Sequence, residues 1–465
     1  MDRTARYRRG GRIRERRKMA QSTVSTTEAA LENQQIGGLQ MRVVAICTLI
    51  QMLDAWDVNS IGVSVPQLTH LWHLPGPAFT GAFLWSSIGI LAGALSAGPI
   101  GDRWGRKPLL ILALLLFGLA SLATVFATTV AMLTVCRFLT GLGIGGGFPG
   151  AATLTGDYAP QRHRALMIML SFTGAPIGGF LCAQAAGLLL PTLGWRSIFL
   201  IGGVIPLALV AVVALWLPES PRFLARKPTL TPREEALLRR LGISPGQEAL
   251  AGLDIAGGNP VALLFSKGYA LQTVLMWIIF FCSLMNLFLF VYWMPEVLHL
   301  TGMTPAAAAR ASSFRELGGI CAVLYLGFLI DRFGPERSLA VNYAAGILVI
   351  GLIALAALPY LALVIVIFLS GLTIIGSQTG ANAACGKLYP ARMRTSGLGW
   401  ALGIGRLGGI AAPALGGFLL AHGVAPLHIF LSACLFALIA AAATGLLALC
   451  GPRTGAATAL SPTAA

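Results

Sequence analysis

The sequence predicts an all-α polytopic membrane protein, with 12 transmembrane helices in two parallel six-helix repeats. Three observations predict it. Of the 465 residues, 56% are hydrophobic and only 11% are charged, whereas a soluble protein carries about 25% charged residues. Whole windows, Pro108 to Cys136 and Ala344 to Gly386, carry no charge at all, and each is long enough for one or two spans of ~20 residues. The chain also repeats itself. Phe138-Leu139-Thr140-Gly141-Leu142 returns as Phe368-Leu369-Ser370-Gly371-Leu372, and Gly150-Ala151 returns as Gly380-Ala381. The stretch Tyr158 to Arg164 returns, one residue shorter, as Tyr389 to Arg394. Pro160 and Pro390, Arg164 and Arg394, and Gly178 and Gly408 all keep one offset of 230 residues. A fixed-period echo of this kind marks a duplicated half.

Taken in order, residues 1–40 form a polar tail. Arg3 to Lys18 is strongly basic and holds no apolar run long enough for a signal peptide. It reads as a disordered cytoplasmic segment, or as a tract ahead of the true start if translation begins at Met19. The first bundle, 41–217, contains spans at roughly 41–66, 78–100, 108–127, 131–155, 164–189 and 197–217. A middle loop, 218–267, is broken by Pro218, Pro221, Pro228 and Pro232, and Arg233 to Leu241 reads as a short surface helix. The second bundle, 268–450, holds spans at roughly 269–298, 305–330, 338–358, 361–385, 395–421 and 427–450, and a tail, 451–465, follows.

Lysine and arginine mark one side. They lie in the first tail, at Arg103, Arg106 and Lys107, at Arg162 and Arg164, in the middle loop, at Arg332 and Arg337, at Lys387, Arg392 and Arg394, and at Arg453. The opposite loops, around Leu71 to Pro77, Thr128, Pro191 to Gly194, Pro359 and His422 to Pro426, hold neither. The positive-inside rule then puts both termini in the cytoplasm. The net charge of +16 reads as a topology signal facing anionic lipid, not as a nucleic-acid surface. The 8 cysteines fall in or beside apolar segments, without a CxxC spacing, and read as small buried hydrophobes. His70, His73, His299, His422 and His428 fall near the outer ends and His163 in a cytoplasmic loop. No metal or nucleophile constellation results, so neither an enzyme, a metal nor an organic cofactor is expected.

Two loops echo each other at the cytoplasmic side. Gly98 to Lys107 lies between spans 2 and 3, and Gly327 to Arg337 between spans 8 and 9. Gly101 and Gly105 permit a tight turn. Asp102 is placed to cap a helix N-terminus, and Arg103 and Arg106 to pair with Asp157 at the cytoplasmic end of span 4. With Asp331 and Arg332 these are the expected gating residues. The GxxxDRxGR pattern of the first loop, echoed in register as GxxxDRxG from Gly327 to Gly334, resembles the cytoplasmic loop motif of the major facilitator superfamily. Six plus six parallel spans match the frame in which the halves of many secondary transporters rock about a midplane site.

An ionisable group within a span is expensive and marks function by default. Six lie deep: Asp54 and Asp57 in span 1, Arg137 in span 4, Arg315 and Glu316 in span 8, and Arg406 in span 11. The acids and bases cancel, which is the arrangement least costly to bury. Asp54 and Asp57 are three apart and share a helix face. Two neighbouring carboxylates repel when both are ionised, so the pair suits a proton site. Counted at ~1.5 Å per residue from opposite ends, Asp57 and Arg137 reach one depth and can pair, either as a static tie or as part of the mechanism. In the repeat, Asp57 aligns with Asn286, Asp54 with Ser283, Arg137 with Ile367 and Arg406 with Pro176. Charges absent from the sister half are not a demand of the frame, so they point to function. Arg406 is the expected anchor for an anionic substrate, because a guanidinium forks onto a carboxylate. Phe314, Trp56, Tyr292, Trp293 and Trp400 are candidate ring walls, and Gln378, Asn382 and Asn286 candidate partners for ring hydroxyls; each also has a bland reading in packing or interhelical bonding.

At these residues the chain resembles one branch of that superfamily, the aromatic acid:proton symporters, which carry benzoate, 4-hydroxybenzoate and protocatechuate. Asp54-Ala55-Trp56-Asp57 is similar to that family's span 1 signature. Arg137 to Gly146 and Gly156 to Pro160 resemble its span 4. Tyr389 to Trp400 and Gly403 to Arg406 resemble its spans 10 and 11. The resemblance covers 41–450 and implies import of an aromatic carboxylate with protons, by a monomer in the bacterial inner membrane. It implies roles in transport for Asp54, Asp57, Arg137, Asp157 and Arg406. Ala55 stands where the family has glycine, Asp157 where glutamate is usual, and Arg315-Glu316 is a pair outside the pattern. Pro218-Glu219-Ser220-Pro221-Arg222 resembles a sugar-carrier motif, but the glutamine-rich span 7 motif of sugar carriers is absent. The alternatives are a proton-coupled exporter of drugs or aromatic metabolites, and a carrier of another small organic acid.

Overall fold

Among the described residues, twelve helices are long and apolar enough to cross a membrane, in the order of the apolar runs. In this computed structural model the described residues are 36–160, 163–227, 229–241, 264–265, 269–355, 358–389 and 391–450. Most of the N-terminal tail with Met19, Arg162, much of the middle loop, Pro390 and the C-terminal tail with Arg453 lie outside them. So do the side chains of Asp331, Lys387, Arg392 and Arg394. Spans 1 to 6 run Gly38–Trp72, Gly76–Trp104, Arg106–Val125, Val130–Tyr158, Leu166–Leu189 and Arg196–Trp216. Spans 7 to 12 run Ala270–Leu300, Pro305–Ile330, Pro335–Leu355, Tyr360–Cys385, Gly397–Ala421 and Pro426–Leu449. Span 1 outruns its expected end because the helix continues through Pro66. A proline this near a terminus removes one backbone bond, and polar side chains support the extra turns. Gln67 donates to the Leu190 carbonyl at 3.0 Å, and Thr69 to that of Pro66 at 3.0 Å.

The chain divides into two compact units. The first holds the stretch to Ser60, Trp85–Cys182 and Thr192–Gly257; the second holds Ile61–Leu84, Ala183–Pro191 and the stretch from Gly258. Leu110, Leu114 and Phe117 of span 3 pack with Ile144, Ala151 and Leu154 of span 4 and Val213 of span 6 in the core of the first unit. Met276, Ile279 and Phe280 of span 7 pack with Tyr343, Ala381 and Ala440 in the core of the second.

Glycine seams explain the sequence echo. Without a hydrophobic force between helices in lipid, small residues earn contact by letting backbones approach. A Cβ at Gly141 of span 4 would strike the Ser86 carbonyl of span 2, and one at Gly145 that of Ile90. The same seam recurs in the second half, where a Cβ at Gly371 of span 10 would strike the Arg315 carbonyl of span 8. Gly178 of span 5 meets the Met52 carbonyl of span 1, and its echo Gly408 of span 11 meets that of Phe281 in span 7. The repeat is thus a repeat of helix contacts. Its hinge loops match as well: Gly105 and Gly334 both take positive φ, 102° and 84°, where one span ends and the next begins. A side chain is strained there, which is why glycine stands at both.

The short helix expected in the middle loop is Pro232–Arg240. Thr231 and Glu234 form a capping box, Pro232 opens the first turn, and Leu238 is buried in the first unit's core.

Gly141→Val and its echo Gly371→Val should each lower the thermal midpoint of the purified protein by several degrees, since overpacking costs ~1–3 kcal/mol. Gly351→Ala, at a site where a Cβ meets nothing within 4 Å, should leave the midpoint in place. Equal midpoints for all three proteins would show that the seams are not under packing constraint.

Candidate functional site

Span 1 delivers two acids to the interior of the first unit, because Asp54 and Asp57 sit one turn apart on its inward face and are both 2% exposed. Asp57 is committed. Its Oδ2 lies 2.9 Å from Arg137 Nη1, and Arg137 is itself 1% exposed. Arg137 Nη2 donates to Thr124 Oγ1 of span 3 at 2.8 Å, and the guanidinium stands 4.7 Å from the Phe199 ring of span 6. One cation therefore ties spans 1, 3, 4 and 6.

Asp54 is different. Neither of its oxygens has a hydrogen-bond partner among the described residues. It packs on the backbone of Gly147, where a Cβ would stand 3.1 Å from Oδ2. A bare carboxylate in such a place is very costly, so the packing suits the neutral acid. The glycine run of span 4 thus does more than seat span 2: it makes room for an acid.

In the second unit, Arg406 of span 11 is half-buried, with no ion-pair partner among the described residues. Arg315 and Glu316, both buried, pair with each other, so that charge is cancelled within span 8. Arg315 also donates to the Leu287 carbonyl at 3.4 Å. Asn286 is buried, its Oδ1 unpartnered, and lines a small cleft with Ser283, Tyr343, Thr373 and Ser377 on one hand and Ile350, Ile374 and Ala437 on the other. Gln378 and Asn382 of span 10 are half-buried and also carry unpartnered carbonyl oxygens.

The expected ring walls separate. Phe314 is half-buried. Trp56 is half-buried, with Nε1 donating to the Ile198 carbonyl at 3.2 Å, which fixes it between spans 1 and 6. Tyr292 and Trp293 are fully buried around Phe83. Trp400 is 44% exposed and stacks on Trp277.

The hinge loop is wired differently from the sequence expectation. Arg106 pairs with Asp102 at 2.7 Å, one turn away, and not with Asp157. Asp157 instead accepts from the Ser220 hydroxyl at 2.7 Å and faces Arg222 Nε at 3.6 Å. Arg103 is exposed, and Arg332 lies over its neighbour Phe333. Asp102 does not cap span 3. Glu219 does, accepting from the backbone N–H of Arg106 at 2.8 Å and of Lys107 at 3.2 Å. The Tyr158 hydroxyl donates to the Glu219 carbonyl at 2.6 Å. The segment Pro218 to Arg222 is therefore a strap across the ends of spans 3 and 4. Its signal was the acid in the Pro-Glu-Ser-Pro-Arg run, whose spacing does not show what it reaches.

The family model described as Major Facilitator Superfamily matches residues 47–413 and 276–462. The chain belongs to the major facilitator superfamily. This is a superfamily of transporters, and the protein is a multi-pass membrane transporter of it. It is 35% identical over 401 residues to a gallate transporter of Pseudomonas putida, covering 85% of this chain and 88% of that protein. It is 34% identical over 419 residues to a 4-hydroxybenzoate transporter of the same organism, covering 85% and 90%. A benzoate transport protein of Acinetobacter baylyi is 29% identical over 406 residues, covering 84% and 85%. Among solved structures, a D-xylose–proton symporter superposes with a TM-score of 0.68 at 18% identity, covering 89% of this chain and 98% of that one. That likeness is one of fold.

Asp57→Asn should lower stability sharply, because it strands Arg137 as a buried cation at a cost of ~3–5 kcal/mol. Replacing both partners, Asp57→Asn with Arg137→Met, should recover much of that loss in thermal unfolding; additive losses would refute the pair. At the strap, burial holds the Glu219 carboxyl above its usual range, against the pull of the Ser220, Lys107 and Arg106 N–H groups. An acid raised in the folded state stabilises as pH falls through its folded value and loses that contribution as pH rises. The wild-type midpoint should therefore rise relative to that of Glu219→Gln as pH falls from neutrality toward the carboxylate range. Parallel pH curves would show that Glu219 does not titrate in the fold.

Proposed function

We propose that this transporter imports an aromatic carboxylate in symport with protons, by alternating access, across the bacterial plasma membrane with its middle loop in the cytoplasm. The observation that carries this reading is the division among the deep charges. Asp57 is held by Arg137, while Asp54 is a buried acid with no hydrogen-bond partner among the described residues. Asp54 is therefore the group free to take up and release a proton, and the fixed pair beside it tunes its field. Arg406, the cation without a paired acid, is the group free to bind a carboxylate in bidentate fashion. Unpartnered acceptors at Asn286, Gln378 and Asn382 suit hydroxyl donors on a ring. The relatives named for gallate, 4-hydroxybenzoate and benzoate support the same substrate class. A monoanion entering with one proton moves no net charge, so a pH gradient alone drives accumulation.

Purified protein in proteoliposomes should accumulate labelled 4-hydroxybenzoate or gallate when the outside is acidified. Asp54→Asn should abolish that accumulation and keep counterflow, since the neutral amide mimics the protonated acid. Arg406→Lys should weaken substrate binding ~ten-fold or more, because a point charge cannot fork. No saturable uptake of any aromatic acid would end the substrate reading, and undiminished gradient-driven accumulation by Asp54→Asn would end the proton assignment.

A further inference from the structure

Glu296 is an acid that the deep-charge count leaves out, because it lies close to the end of span 7 opposite the middle loop. The structure buries it to 1% exposure. Its Oε2 has no hydrogen-bond partner among the described residues. The carboxyl packs under Gly76, the first residue of the turn that opens span 2: a Cβ at Gly76 would stand 2.7 Å from Oε1 and 3.3 Å from Cγ and Cδ. Gly76 is itself buried. This contact lies inside the second unit, which contains Ile61–Leu84 together with spans 7 to 12.

The surroundings form a latch. Gly62 of span 1 meets the Val291 carbonyl at a spacing that admits no Cβ without movement. Phe83 of span 2 stacks on Tyr292 at 4.8 Å and meets Trp293 edge-on at 5.2 Å. Trp293 Nε1 donates to the Pro413 carbonyl of span 11 at 3.2 Å, and Thr80 seats against Gly417 of the same span. Titratable and charged groups at this end are few. Span 2 has none before Asp102, at its far end, and span 11 none between Arg406 and its last residue, Ala421. His422 follows, with its ring bonded to the Phe418 carbonyl. Span 7 adds Tyr292, stacked, and His299, whose ring bonds the Met303 carbonyl. Span 1 adds His70 and the residue just after its end, His73; the first turn of span 12 adds His428, and span 8 adds Arg310, whose stem packs on Gly187. None of these groups forms an ion pair with Glu296 among the described residues.

We infer that Glu296 is a second proton-binding carboxyl of this transporter, which closes the Gly76 turn onto spans 7 and 11 when neutral and releases it when ionised. The physical reason is the cost of an ionised carboxylate held dry against a backbone without a cation. The proton reaches it from the side opposite the middle loop, since the acid lies about one helical turn from that end of span 7. This site is separate from Asp54, and its test needs no substrate.

Hydrogen exchange on the full-length protein in lipid nanodiscs reads the latch directly. After correction for intrinsic exchange, the opening of the Gly76, Ala78 and Phe79 amides should rise with pH, approaching ~ten-fold per pH unit once Glu296 ionises, as linkage to one proton requires. Glu296→Gln should stay protected at every pH, because only that titration has been removed. Gly76→Ala keeps the acid but displaces it, so these amides should open even at low pH; it also serves should Glu296→Gln fail to fold. A wild-type turn whose protection ignores pH would overturn the inference. So would a Glu296→Gln variant that keeps the wild-type pH response, which would assign the effect to the histidines, or a Gly76→Ala variant with wild-type protection.

Discussion

A buried charge must be matched or neutralised, and in this transporter the Asp57–Arg137 pair is where that constraint is met. Arg137 is a cation buried in the interior, so span 1 supplies the compensating acid, and spans 3 and 6 supply Thr124 and Phe199 to occupy the rest of the guanidinium. The positions of four helices follow from one side chain. The second acid of span 1 then has no cation left to claim, and it sits against a glycine backbone as a group whose charge is optional. The first unit thus holds both kinds of acid: one balanced by a cation, and one with no cation beside it.

Much of the architecture was legible because lipid removes the hydrophobic force between helices and leaves backbone proximity to do the work. Proximity demands glycine at particular positions, and glycine is visible in a sequence. Gly141 and Gly371, and Gly178 and Gly408, are echoes because each pair makes the same contact in its own half. The hinge glycines Gly105 and Gly334 are visible for another reason, a backbone conformation that other residues resist. The pairing of Asp57 with Arg137 was legible from depth alone, since helical rise converts sequence position to distance along the membrane normal.

What stayed hidden was which way side chains point. A helix apolar on every face has no polar stripe to announce its inner side. Tyr292 and Trp293 read equally well as ligand wall or core from their spacing, and the structure puts both in the core around Phe83. The strap was hidden for a different reason. Glu219 lies more than a hundred residues from Arg106 and Lys107, and only folding shows that it, and not the neighbouring Asp102, satisfies the orphan N–H groups at the start of span 3. Asp157 likewise found Ser220 and Arg222 on that strap, because the local Asp102 had already taken Arg106.

The sister half shows how the frame is held where the two acids of span 1 have no charged counterpart. At the echoes of Asp54 and Asp57 stand Ser283 and Asn286. Ser283 bonds the Tyr343 hydroxyl, and Asn342 donates to the Thr373 carbonyl and Ser377 hydroxyl at 2.9 Å each. Neutral hydrogen bonds there hold spans 7, 9 and 10, a task that the first half gives to an ion pair. Neutral bonds are individually weaker, but they carry no desolvated charge and so require no balancing partner. At these echoed positions the contacts are met by neutral polar residues, so helix packing alone does not explain why span 1 carries acids. What the acids add over serine and asparagine is a group that can gain and lose a proton, so the departure from internal symmetry coincides with the residues to which coupling is assigned.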